Sequence, residues 1–425
     1  MRGSHRRWRL LTGAVALAVA LGGCSSGNSG SGRVTLTWWH NATADPGKSF
    51  WQKVANEYHA KHPNVTIKVV PIQNEQFNTK IPVALQSSDP PDLFQQWGGG
   101  QLADQVAAGR ILEITDQTRS EVASMGAAAK GWQVDGKQYA LPYSLGVVGF
   151  WYNKDMFRTA GIASAPASWT DLIADIGKLK AARLTPIALG GKDRWPDAFY
   201  WDYLATRACS QQTMTKSAKD YNFSDPCWTD AGDKVKQLLG ANPFQTGFLA
   251  TPAQQGAGSS AGLLANGKAA MELQGHWNPG VMQGLTPNQK LGFDLGWFPF
   301  PSLSGGQGDP AALLGGGDGF SCSYKAPPQC VDFLRYIVSP DVQRRWAGTG
   351  AGLPTVRSAA SGVTDPTLAS LIKTRDEASY VQLYLDIAYT TSVGQALDDA
   401  TADQFAGTKS PGQVVKAIAD AAKNR

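Results

Sequence analysis

Histidine is scarce in this chain, with five among 425 residues. His40, His59, His62 and His276 lie beyond the basic first segment, and none stands in an H-E-x-x-H or comparable ligand spacing. A metal centre is therefore not expected, and no cofactor is either. Lysine- and arginine-rich blocks are missing, which argues against nucleic acid as a partner. No cysteine pair has the C-x-x-C spacing of a zinc or redox site. After residue 24, no stretch reaches the ~20 apolar residues of a membrane-spanning helix. No internal repeat is present, and the only low-complexity run is Ser25–Gly32.

What is present begins with an address. MRGSHRRWRL carries four arginines, and no acidic residue precedes Cys24. The apolar run Leu10–Leu21 is too short to span a bilayer but suits the hydrophobic region of a signal peptide. Leu21-Gly22-Gly23-Cys24 follows, and the order of these regions resembles a bacterial lipoprotein signal. That resemblance implies that residues 1–24 are signal and lipobox, with Cys24 lipidated. Residues 25–32 then form a flexible Gly/Ser linker. The protein is expected outside the cell, lipid-anchored to the outer face of the cytoplasmic membrane. Without the four signal arginines, 35 of the 39 basic residues face 34 acidic ones, close to neutrality.

Four cysteines remain, Cys209, Cys227, Cys322 and Cys330. An even number in an exported chain suggests disulfides. Three pairings are formally open; Cys209–Cys227 and Cys322–Cys330 are the parsimonious ones, each closing a short loop, and free thiols are the alternative.

Nearly 400 mature residues exceed the usual size of one core, so two domains are expected. The first unit reads β-α-β. Val34–Trp39 is a strand, and Phe50, Trp51, Val54, Ala55 and Tyr58 mark one face of a helix that Pro63 stops. Val65, Ile67 and Val69 alternate along a second strand. Helical segments recur near Thr79–Ser87, Gln101–Ala108 and Trp169–Ala182, which predicts an α/β fold with largely parallel strands. Pro299–Gly317 and Gly348–Pro354, rich in glycine and proline, are the expected connections between lobes.

Catalytic motifs fail on context. Gly23–Gly27 matches G-x-S-x-G only at the lipidation site. Gly258–Gly262 matches it after a loop, without the strand that exposes a nucleophile. Gly262–Lys268 nearly spells a P-loop, but Ala269 replaces the serine or threonine that would hold magnesium. A pair of acids working as a glycosidase has no linear signature, so a secreted glycoside hydrolase stays open as an alternative. A surface lipoprotein with no transport role is another. The leading expectation is non-enzymatic.

Four segments together resemble the sugar-binding lipoproteins of bacterial ABC importers, the solute-binding proteins related to maltose- and multiple-sugar-binding proteins. They are PPDLFQQWGGGQLADQVAAGRILEIT (Pro90–Thr115), GKQYALPYSLGVVGFWYNKDMFRTAGI (Gly136–Ile162), LLANGKAAMELQGHWNPG (Leu263–Gly280) and VDFLRYIVSPDVQRRWAGTGAGLPTVR (Val331–Arg357). The resemblance implies a two-lobed, periplasmic-binding-protein-like type II fold with a hinge of three crossings. The crossings are expected near Ser144–Gly149, Ala312–Gly317 and Gly350–Leu353. The N-terminal lobe then holds residues 33–146 and 315–352, and the C-terminal lobe 147–312 and 353–425. It also implies a monomer that captures an oligosaccharide between the lobes and delivers it to a membrane permease. The segment Gln96–Gly100, QWGGG, is similar to xylobiose-type binding proteins of actinobacteria, which makes xylobiose or another plant-derived oligosaccharide the expected ligand.

Sugar chemistry fits one crowded segment. Gly190–Leu204, GGKDRWPDAFYWDYL, sets two tryptophans, two tyrosines and a phenylalanine among three aspartates. A buried helix should not carry so many carboxylates, nor a solvated face so many rings. A pyranose presents apolar C–H faces to aromatic rings and hydroxyls to fixed polar groups. The resemblance accordingly implies Trp277 and Trp195 as stacking platforms of the second lobe. Gln96, Trp97 and Gly98, with His40 and Asn41, are contacts of the first, and Asp318 lies on a returning strand facing the cleft. Asp197, Trp201 and Arg357 complete the candidates. Trp201 suits a buried helix as well as a site, Asp318 is also at home in a turn, and acids near Trp195 also suit a helix cap. Trp38, Trp39, Trp151, Phe199 and Trp297 alternate with apolar residues and are expected in the core.

Overall fold

The computed structural model describes residues 32–424; the expected signal, Cys24 and nearly all of the linker lie outside them. Ten strands are present among the described residues. They are β1 (Val34–His40), β2 (Val65–Pro71), β3 (Leu93–Gln96), β4 (Gln133–Val134), β5 (Lys137–Gln138), β6 (Leu141–Asn153), β7 (Met271–Gly275), β8 (Leu295–Phe298), β9 (Leu313–Cys322) and β10 (Val381–Leu383). The main sheet runs β2-β1-β3-β9-β6-β7, with β10 beside β9 and β8 beside β6.

The first unit forms as its pattern dictates. β1 and β2 pair in parallel through all seven positions, with the helix Gly47–Lys61 between them in sequence. That helix buries Trp51, Val54, Ala55 and Tyr58, the stripe expected at its 3.6-residue spacing. The helices expected later are Asn74–Gln86, Gly99–Ala107 and Trp169–Ala181. Ser168 and Asp171 close the last one with a capping box.

The expectation of a largely parallel sheet holds only at one edge. β2, β1 and β3 are parallel, and so are β9 and β10. The β3–β9, β6–β9, β6–β7 and β6–β8 pairs are antiparallel. β6 and β9 are long strands, 13 and 10 residues, that run from one apolar core into the next; β6 pairs with β9 from Leu141 to Val147 and with β7 and β8 beyond. Antiparallel return of the chain through this ladder replaces the helical crossover that a parallel pair needs.

Two large cores lie on either side of that ladder, which makes the molecule a two-lobed α/β fold. One is built on Trp38, Trp51, Phe320, Phe333 and Trp346. The other surrounds the helix Trp195–Ala208 with Phe150, Trp228, Phe300 and Tyr389. Val356 and Ala359 belong to the first core. The stretch just after Leu353, expected with the second lobe, packs here with the first because its apolar side chains meet the helix Pro340–Ala347.

Both short-loop disulfides are present. Cys209–Cys227 joins the end of the helix Trp195–Ala208 to the start of the helix Cys227–Gly240, and Cys322–Cys330 ties β9 to the helix Gln329–Ile337. Of the expected core rings, Trp38 and Trp151 are fully buried and Phe199 nearly so, while Trp39 and Trp297 are half-buried against smaller clusters.

Candidate functional site

The helix Trp195–Ala208 decides where the site lies. Its residues from Pro196 onward are buried on every side, and only Trp195 at its first position is half-exposed. The expectation that a buried helix would not carry these carboxylates is overturned. Asp197 and Asp202 are both fully buried. Burial raises the pKa of each well above the ordinary carboxylate value, which favours the neutral form. Asp202 also accepts the Leu385 backbone N–H at 3.0 Å.

Trp195 opens onto a cavity of roughly 560 Å³ between the lobes. Clefts of this size hold small organic ligands. From the first lobe come the loop after β1, including Asn41, the segment Gln73–Gln76, and Trp97 and Asp318. From the second come Asp193, Trp195, Phe199, Gln255, Trp277, Tyr384, Asp386 and Asp398. Of the sequence candidates, Asn41, Trp97, Trp195, Trp277 and Asp318 therefore meet at one cavity.

Trp195 and Trp277 stand edge to face, ring centres 6.4 Å apart, and Trp195 packs on Phe199 at 5.2 Å. Gly275 permits this: a Cβ there would lie 2.2 Å from the Trp277 ring. Across the cleft, Asp318 Oδ1 accepts Trp97 Nε1–H at 3.0 Å and Gln95 Nε2–H at 2.8 Å. Burial pushes Asp318 up to about 6, against those two donors. Asp193 likewise rises to about 6 through burial, with the Ala253 N–H opposing and Glu75 adding.

The mouth of the cleft is bridged. Gln255 Nε2 donates to Gln73 Oε1 at 2.8 Å, and Trp195 Nε1 donates to Glu75 Oε1 at 3.4 Å. Six carboxylates line the cavity, namely Asp45, Glu75, Asp193, Asp318, Asp386 and Asp398, against two cations, Lys192 and Arg194. Arg194 is already paired with Asp399. The cleft is thus an apolar, aromatic wall rimmed by acceptors. Among the described residues, no group of three or more His, Cys, Asp or Glu is arranged to hold a metal ion.

The remaining candidates do not reach the cavity. His40 is fully buried, its ring 5.0 Å from Trp38, and its Nδ1 takes the Ala42 N–H at 3.2 Å. Burial lowers its pKa to about 3, so it stays neutral. Gln96 accepts the N–H groups of Trp97 at 2.9 Å and Gly98 at 3.1 Å, and so shapes the loop that carries Trp97. Gly98 turns that loop at φ 81°, where a Cβ would meet the Gly131 carbonyl oxygen at 2.3 Å. Trp201 stacks on Trp228 at 5.7 Å inside the core. Asp197 sits behind the wall. Arg357 is exposed, its guanidinium against Gly126 of the first lobe. These six were placed by neighbourhood in the chain, and packing turned them elsewhere.

Sequence reasoning missed Glu75, Asp193, Tyr384, Asp386 and Asp398. Asp193 had a signal, since it adjoins Trp195 in KDRWPD. The others reach the cleft only through tertiary packing and carry no local mark. The second G-x-S-x-G is also resolved: Ser260 is fully buried in the first turn of a short helix and donates to the Ala253 carbonyl.

Three comparisons with known proteins agree with this architecture. An uncharacterized ABC transporter extracellular-binding protein of Pyrococcus horikoshii is 26% identical over 412 residues, covering 91% of this chain and 88% of that protein. The multiple sugar-binding protein of Streptococcus mutans is 24% identical over 319 residues, 69% of each chain. A solved structure concerned with xylan utilization by the thermophilic bacterium Caldanaerobius polysaccharolyticus superposes with a TM-score of 0.83 at 24% identity, covering 91% of this chain and 99% of that one. The family of bacterial extracellular solute-binding proteins matches residues 41–344, and with the two-lobed fold and its interlobe cleft the chain belongs to that family.

Proposed function

We propose that the protein is the extracellular receptor of an ABC importer, capturing an oligosaccharide in the interlobe cleft and presenting it to the permease as a monomer. The observation that carries this reading is the pairing of the Trp195 and Trp277 wall with carboxylates that accept hydroxyl hydrogens, among them Asp318 opposite. The names of the relatives, a multiple sugar-binding protein and an ABC transporter extracellular-binding protein, support it. Binding without chemistry is the reading; hydrolysis is the competitor. Xylobiose or another plant-derived oligosaccharide is the preferred ligand, supported by the QWGGG segment and the xylan-linked structural neighbour.

Capture requires the lobes to move. Residues 33–146 with 315–352 form one body in this reading, and 147–312 with most of the remaining chain the other. The crossings run side by side: Leu145 N–H donates to the Leu353 carbonyl at 3.1 Å, and Val147 pairs with Gly315. Ser144 Oγ joins His276 Nε2 at 2.8 Å and the Leu353 N–H at 3.1 Å. A ligand favours the closed form only by contacts that differ between the two states. Lipidation at Cys24 would keep the receptor beside its permease.

The test is a panel of xylo-, cello- and malto-oligosaccharides. A receptor gains thermal stability from one class and returns the sugar unaltered; released products would move the protein to the hydrolases, and neither effect would leave a scaffold. Cys24→Ala should release the protein from the membrane with sugar binding intact, and retention in the membrane fraction rejects the anchor.

A further inference from the structure

The cleft floor holds acids that aromatic stacking does not employ. Asp386, on the short helix Leu385–Ala388, and Asp398, on the helix Thr391–Phe405, both line the cavity. Asp398 is 6% exposed, and its Oδ1 has no hydrogen-bond partner among the described residues. Tyr384, also 6% exposed and also lining the cavity, has a hydroxyl without a partner among them. Buried polar atoms left unpaired are costly, and both residues that carry them line the cavity.

Among the described residues, no cation is paired with either acid. The elements packed on Asp386 bring Asp398 and Asp399 from the helix Thr391–Phe405 and Asp197 and Asp202 from the helix Trp195–Ala208. They also bring Asp104 from the helix Gly99–Ala107, which accepts the Thr391 N–H, and the Tyr384 phenol. Arg194 is engaged by Asp399. Burial pushes Asp386 up to about 7, against backbone N–H groups that favour its charged form. Asp398 is raised too, through burial and then through its acidic neighbours. Burial thus favours the protonated form at both residues, so two carboxyls lining one cavity can offer a donor as well as acceptor oxygens. Two hydroxyls on adjacent carbons of a sugar ring offer the complementary set, each donating or accepting in turn.

We infer that Asp386 and Asp398, with the Tyr384 hydroxyl, form a subsite for two adjacent hydroxyl groups at one end of the saccharide, and that it sets which sugar the cleft accepts. The inference rests on the saccharide reading above. A hydroxyl donating to Asp386 favours its ionised form, so binding releases a proton and tightens as pH rises from about 6 to about 8.

Calorimetric titration of the full exported chain with xylobiose, cellobiose and maltose tests it, on wild type, Asp386→Asn and Asp398→Asn, at both ends of that pH range. The best-bound sugar should weaken about 10- to 100-fold in either variant while the unliganded melting point is kept. Wild type should bind more tightly at the higher pH, and Asp386→Asn should lose that dependence. If one variant fails to fold, the other carries the comparison. Equal affinity and an unchanged pH profile in the variants overturn the subsite but leave saccharide capture standing. Tighter binding of a glucosamine dimer than of every neutral sugar overturns it too, assigning the floor to an amine. Wild type that binds none of these sugars defeats both the subsite and the reading beneath it.

Discussion

Two pairs of tryptophans in the second lobe are alike in the sequence and opposite in the structure. Trp201 and Trp228 lie stacked, 5.7 Å apart and 14° from parallel, with no exposed surface. Trp195 and Trp277 stand edge to face at 6.4 Å, half-buried, with the cavity beside them. Trp195 and Trp201 even share one helix. The inner pair is fully enclosed by protein, so the burial of its rings went into folding. The outer pair keeps apolar surface facing the cavity, whose six carboxyl groups outnumber its two cations. A ring's role here follows from what lies on its second face, not from its residue type.

The sharpest way to break that comparison is Trp201→Ala. Loss of a fully buried tryptophan should destabilise the unliganded protein by ~3–5 kcal/mol, with sugar affinity unchanged in the folded fraction; a variant that melts like wild type would take Trp201 out of the core. Reduction of the disulfides comes next. Cys209–Cys227 fastens the helix of Trp201 to the helix of Trp228 across a short loop. Its loss, with that of Cys322–Cys330, should cost about 2–4 kcal/mol per bridge, read as a lower denaturation midpoint in reductant. Four free thiols in peptide maps of the exported protein would reject it.

Trp277→Ala should act in the opposite sense. We expect a loss of about 1–3 kcal/mol in binding, some 5- to 150-fold in affinity, with an unliganded melting point close to wild type. A large fall in melting point with intact affinity would return Trp277 to the core.

A last test separates the regions by pH. Burial holds Glu272 up at about 8, Asp386 at about 7, and Asp197, Asp202 and Asp398 higher than ordinary carboxyls. The native state therefore keeps protons that the unfolded chain has lost above pH ~4.5. His40 and His276, lowered to about 3 by burial, act the other way, costing stability as pH falls below ~6.5. The acids outnumber the histidines, so stability should fall as pH rises from about 5 to 8, by ~1.4 kcal/mol per pH unit for each net proton. Melting curves of the unliganded protein check this, and a rising melting point over that range would show these acids to be ionised. In the inner region, Asp202→Asn should flatten the slope without altering sugar affinity.

Much of the fold was legible along the chain. The strand Val34–Trp39, the stripe from Phe50 to Tyr58 and the alternation of Val65, Ile67 and Val69 each encode a local geometry, because a period of two or of 3.6 follows from the backbone alone. Part of the candidate site was legible too: Trp195, Trp277, Trp97, Asn41 and Asp318, which the family resemblance implied, line one cavity. Trp201 and Asp197 were misplaced because a helix buried on all sides shows no periodic face. Their acids misled for a further reason, since a carboxyl that burial keeps protonated reads in sequence like a charged one.

By themselves, spacing and composition indicated an α/β chain of two domains and favoured the short loops that its disulfides close. The two-lobed fold and its aromatic cleft were what the family resemblance implied. The tertiary structure alone decided the antiparallel ladder of β6 and β9, the inward turn of Trp201 and the arrival of Glu75, Tyr384, Asp386 and Asp398 at the cavity. Those depend on which distant surfaces exclude water together, and no interval along the chain records that.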